Sequence, residues 1–145
     1  MDPVKTPAAN AAAQLLFSCV LGTLMLVPMQ PWGAWLAAHL PLRALLSAHL
    51  DWIMLGLSQL GAAFVMDRFP DETESPRTAR LLVFGGWVNP TAYVFRGFGV
   101  DAFVLGGGPT QVAAALLAGV SALSLVAAWA AIVAGLAGGA KRKRP

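Results

Sequence analysis

Long apolar runs alternate with short polar or turn-forming breaks along the chain, and the runs over 8–27, 44–66, 79–103 and 111–136 have the length of membrane-crossing helices. A helix needs about 20 predominantly apolar residues to cross a hydrocarbon layer of about 30 Å. The breaks carry their own signals. Pro28 and Pro31 end the first run, and Gly106-Gly107-Gly108-Pro109 closes the third, with Thr110 placed to cap the fourth helix. Between the second and third runs, 67–77 holds two prolines and clustered carboxylates, which reads as a solvated loop. The pattern predicts an all-α polytopic membrane protein, a four-helix transmembrane bundle forming one domain over 1–145.

Composition agrees: 57% of residues are hydrophobic and 12% charged, far from the balance of a soluble domain. The first run is longer than the core of a secretion signal and its leader is scarcely basic, so it is expected to be a retained span. Cytoplasmic loops of membrane proteins are enriched in Lys and Arg. Basic residues gather in the tail at 140–145 and in the connection carrying Arg68, Arg77 and Arg80, whereas the link between the first two runs has no charge. Both termini are thus expected in the cytoplasm of a bacterial cell, with a multi-pass chain in its inner membrane. The net charge of +3 comes mainly from these flanks, so no nucleic-acid partner is needed to explain it. Trp32 and Trp35 suit anchors at the membrane interface, while Trp52 and Trp87 lie deeper and are placed to line a pocket. The fourth run is rich in Ala, Gly and Ser, which favours close helix packing in the bundle or in an oligomer.

Candidate chemistry centres on His49, near the start of the second run. An ionisable side chain inside a membrane-length segment is costly and suggests function, and imidazole is the commonest metal ligand. One reading places a haem iron on His49, with Asn89 and Tyr93 on the open side; the other is a histidine hydrogen-bonded to a neighbouring helix for packing. Cys19 is the only cysteine, so a haem would be held non-covalently. His49 lies six residues in from Arg43, about 9 Å at about 1.5 Å per residue. Tyr93 comes to the same depth from the opposite membrane face, and Asn89, four residues earlier, shares its side of a continuous helix. Pro90 has no N–H and leaves the carbonyl of Gly86 without its usual donor. Asp51 points to a different face from His49 and is suited to an arginine across a subunit boundary.

Arg43-x5-His49, Ala79-Arg80 and Gly86-Trp87-Val88-Asn89-x3-Tyr93 together resemble the styrene oxide isomerase family. Ser47-Ala48-His49-Leu50 also resembles the related hydroxylaminobenzene mutases, and the likeness runs over about 41–95. The resemblance implies a homotrimer in the lipid bilayer with one ferric haem b near each subunit boundary. His49 would be the axial ligand, with Tyr93 and Asn89 as catalytic residues beside a small aromatic epoxide. The implied reaction is the Meinwald rearrangement of an aryl epoxide to an aldehyde or ketone, with iron as Lewis acid and no net redox change. An apolar bundle would keep out water that could trap the cation as a diol. Leu55 departs from the family, which usually has asparagine six residues after the histidine, and so implies a greasier substrate pocket. Two other readings stand beside this one: a mutase converting an arylhydroxylamine to an aminophenol, and a cytochrome b-like electron carrier. The carrier would want a second axial histidine, for which the sequence offers only His39.

Overall fold

A computed structural model describes residues 2–142, with side chains described through 138. Of the predicted basic tail, 143–145 lie outside the described residues. The described residues form helices and no strand, with α1 (Lys5–Leu24), α2 (Ala34–His39), α3 (Leu42–Arg68), α4 (Pro70–Thr73), α5 (Pro76–Val88), α6 (Thr91–Gly97) and α7 (Pro109–Arg142), and 98–108 is an irregular loop. Asp2 steadies the start of α1 by accepting hydrogen bonds from the backbone N–H groups of Val4 at 3.0 Å and Lys5 at 2.8 Å. These bonds favour the carboxylate and hold its pKa below the ordinary value. Prolines 28 and 31 fall in two short 3-10 turns after α1, as their missing N–H groups require.

Among the described residues, two stretches are long and apolar enough to cross a membrane: Lys5–Met29 with 25 residues and Pro109–Gly138 with 30. Pro31–His39 and Leu42–Arg68 together make a third if counted as one span, although they meet at 89°. Pro41 lies in this bend. The expected single helix over 79–103 is corrected: α5 stops at Val88, α6 begins at Thr91, and α6 ends at Gly97 rather than at the glycine run. Proline at 90 removes the N–H that would have carried the helix through. Helix α7 starts at Pro109, which puts Thr110 inside its first turn instead of at the cap.

Helices α1 and α3 pack antiparallel, and α5 packs on α7. Small residues bring the backbones close. A Cβ on Gly85 would lie 2.5 Å from Leu125 Cγ and 2.9 Å from Ser121 O. The small residues of α7 do pack inward, with Ala114, Ala115, Ser121, Ser124 and Ala128 all buried. One apolar core joins Ala62 and Met66 of α3, Leu82 of α5, and Ala128 and Ile132 of α7. Trp32 and Trp35, 73% and 69% exposed, suit contact with lipid or its interface.

Candidate functional site

His49 sits in α3 with its ring against Gly22 of α1. A Cβ on residue 22 would come within 2.8 Å of His49 Cε1 and 3.2 Å of Nε2, so glycine makes the space for the imidazole. The ring lines a cavity of about 300 Å³ with Gly22, Met25, Leu26, Met29, Leu42 and Leu46. Every other side chain in that wall is hydrocarbon or thioether. Nδ1 of His49 is buried and has no hydrogen-bond partner. Buried polar atoms are normally paired, so an orphaned imidazole nitrogen calls for an explanation. A histidine tied by Nδ1 to a neighbouring helix would have answered the packing reading. His39, the other histidine, lies exposed at the end of α2 and donates from Nδ1 to Trp35 O at 2.7 Å.

Asn89 and Tyr93 stand on another side of the molecule. Asn89 follows the last residue of α5 and donates its amide to Ser121 Oγ of α7 at 3.3 Å. It lines a second cavity of about 330 Å³, with Ala92, Ala102, Phe103 and Ala118 among its walls. Tyr93, in the first turn of α6, is half-buried with its ring centroid 5.1 Å from that of Phe103. The two cavities share no lining residue. A Cβ on Gly97 would lie 2.8 Å from Ala44 Cβ, so the end of α6 packs against the start of α3. The faces differ. His49 turns to α1 while Asn89 turns to α7; between Asn89 and Tyr93 the hydrogen-bond ladder is interrupted at Pro90, although both Asn89 and Pro90 keep right-handed helical dihedrals.

The break has its own chemistry. In a continuous helix the carbonyls of residues 86, 87 and 88 would accept from the N–H groups of residues 90, 91 and 92. Here Gly86 O accepts from Gln14 Nε2 at 2.8 Å, and Trp87 O from Trp52 Nε1 at 3.2 Å. Val88 O accepts from Thr91 Oγ1 at 2.6 Å. Each released carbonyl is taken up by a side chain, two of them from other helices. Gln14 Oε1 in turn accepts from Gln59 Nε2 at 2.6 Å, and both glutamines are fully buried. Trp52 also packs edge-on against Phe17 at 4.8 Å between ring centroids, and Trp87 donates to Asn10 Oδ1 at 3.3 Å. Both indoles therefore belong to the seam of α1, α3 and α5, and neither lines the cavities above. Leu55 is half-buried on α3 and is not in the wall of either cavity.

Sequence reasoning saw the freed Gly86 carbonyl but missed its donor. The signal was present: Gln14 and Gln59 are uncharged polar residues inside apolar runs, where a partner on another helix is to be expected. Asp51, half-buried on α3, has no ion-pair partner among the described residues. Fold and site together define an all-helical chain with helices able to cross a membrane and a lone imidazole facing an apolar cavity. No family model matches the chain, and neither a characterised protein nor a solved structure matches it.

Proposed function

We propose that this protein is a membrane-bound, haem-dependent isomerase of the styrene oxide isomerase type, which rearranges aryl epoxides to aldehydes. The observation that carries the reading is His49: one imidazole, seated against a glycine, in a cavity otherwise lined by apolar side chains. These residues fit a haem iron held by a single protein ligand. Bound there, ferric haem supplies Lewis acidity toward an epoxide oxygen. The chain does the rest. His49 holds the group non-covalently, and the walls exclude the water that would turn a benzylic cation into a diol. Tyr93 holds the substrate oxygen with a hydrogen bond and fixes which group migrates. Asn89 stands one turn before it, tied to α7.

In this reading α5 and α6 form one broken span, which completes a four-span bundle with both termini in the cytoplasm of a bacterial inner membrane. That His49 and Asn89 line different cavities of one chain supports a site completed between adjacent copies of a homotrimer. Asp51 supports assembly, since an unpaired carboxylate in a membrane segment is costly and a neighbouring copy can supply its partner.

The test is direct. The purified protein should show a Soret band and convert styrene oxide to phenylacetaldehyde. No haem and no turnover would sink the proposal, and conversion of an arylhydroxylamine instead would favour a mutase. Tyr93→Phe should keep its haem and slow turnover by about ten- to a hundredfold, because a hydrogen bond to a charged group contributes about 1.5–3 kcal/mol. Co-expressing Tyr93→Phe with His49→Ala probes the shared site. In a ring of three, random mixing leaves one intact junction in every mixed assembly, or roughly a quarter of all sites. Activity rising to that level supports a site between copies; a mixture no better than Tyr93→Phe alone places His49 and Tyr93 in separate roles.

A further inference from the structure

We infer that Gln14 is a positioning residue that stands in for the backbone donor Pro90 lacks, and so sets the direction in which Asn89 and Tyr93 leave the end of α5. Gln14 Nε2 meets Gly86 O at 2.8 Å, the carbonyl that residue 90 would serve in an unbroken helix. Gln59 fixes the amide's orientation by donating to Gln14 Oε1 at 2.6 Å. An amide whose oxygen is already engaged can present only its NH₂ to the carbonyl. Both glutamines are 0% exposed, so water offers the carbonyl no substitute. Glycine at 86 leaves room for this arrangement, because a Cβ there would overlap Gln59 Nε2 and force that side chain to shift.

Beyond the cap the backbone turns tightly: Ala92 N donates to Asn89 O and Tyr93 N to Pro90 O, both at 3.2 Å. Asn89 and Pro90 keep helical dihedrals, but the hydrogen-bond ladder is incomplete across 89–91, so the side-chain donors below it act with the packing of α6 on α3 to set where α6 points. Gln14 hydrogen-bonds to Gly86 and Gln59 and to neither Asn89 nor Tyr93; it acts on them through the carbonyl it holds.

The double-mutant cycle of Gln14→Leu and Pro90→Ala tests this, with hydrogen exchange over 86–97 and turnover per haem as readouts. Alanine at 90 restores the N–H that can serve Gly86 O, so it removes the need for Gln14. Gln14→Leu alone should speed exchange in that segment by about tenfold, and in the Pro90→Ala background it should change it little. The amide of Gln59 loses its partner in both backgrounds, so that cost cancels in the cycle. Equal effects in the two backgrounds, or none in either, overturn the inference. Should Gln14→Leu fail to accumulate, the double variant must accumulate, and its failure counts equally against the idea. The effect on turnover rests on the epoxide reading: Gln14→Leu should lower kcat with haem content and KM unchanged. Coupled exchange without that fall reduces Gln14 to a structural cap and overturns the positioning role. An inactive, haem-free wild type would count against the epoxide reading alone, with exchange still deciding the role of Gln14.

Discussion

Replacing His49 by alanine should leave a folded protein that purifies without a Soret band. The imidazole is half-buried, and its Nδ1 has no partner to lose. Removing it takes away an unsatisfied buried atom, which costs about 1–3 kcal/mol where it stands, and this offsets the weaker packing against Gly22. Haem retention has no such compensation, because the rest of the cavity wall is apolar or thioether. Even the outer partners of a metal ligand contribute about ten- to a hundredfold in affinity, so loss of the ligand itself should cut haem content by more than about a hundredfold. Added imidazole, filling the space beside Gly22, should restore part of the absorbance. An unchanged Soret band in His49→Ala would falsify the assignment of the iron ligand, whichever reaction the protein performs.

The second large effect is expected at Gly86. Alanine there would overlap Gln59 Nε2 and approach Gln14 Oε1 to 3.2 Å, and neither side chain can withdraw without giving up its hydrogen bond. Overpacking costs about 1–3 kcal/mol, and leaving a buried polar group unpaired costs about 1–3 kcal/mol more. A loss of that size is a large part of the roughly 5–15 kcal/mol that holds a typical domain together. Gly86→Ala should therefore lower the Tm in detergent by about 10 °C or more, or fail to accumulate. Gly61→Ala on α3 is the control: a Cβ there has nothing within 4 Å, so it should be neutral or slightly stabilising. Equal Tm values for the two variants would show that the glutamine pair yields easily.

Hydropathy placed the long helices well. The run over 8–27 became Lys5–Leu24, 44–66 became Leu42–Arg68, and 111–136 lies within Pro109–Arg142. Each of those runs is free of internal proline, so apolar length and helix length coincide. The run over 79–103 is less apolar, with Arg80, Asn89, Arg96 and Asp101 inside it, and it carries Pro90, whose missing N–H hydropathy does not register. At the site, rise per residue yields only an expected common level for His49 and Tyr93. It could not say which neighbour each would face, because that depends on small residues elsewhere: Gly22 draws His49 toward α1, and Ser121 draws Asn89 toward α7. Trp52 and Trp87 look like pocket walls until their partners are counted: the Trp52 N–H serves the open carbonyl of Trp87, and the Trp87 N–H donates to Asn10 Oδ1.

If α5 and α6 form one broken span, as proposed above, the capped break also bears on how the chain enters the bilayer. Donors Gln14 and Trp52 precede their acceptors at 86 and 87 in the sequence, so they emerge first from a ribosome. Bare carbonyls are poorly tolerated in lipid, where no water can satisfy them. By the time 86–88 leaves the translocation channel, the helices that must receive it are already made and can dock it at once. A circular permutant that moves α1 to the C-terminus would keep the native packing yet reverse that order. Its Gly86 carbonyl would wait without a donor until synthesis ended, which makes biogenesis, rather than the finished fold, the step most sensitive to gene order.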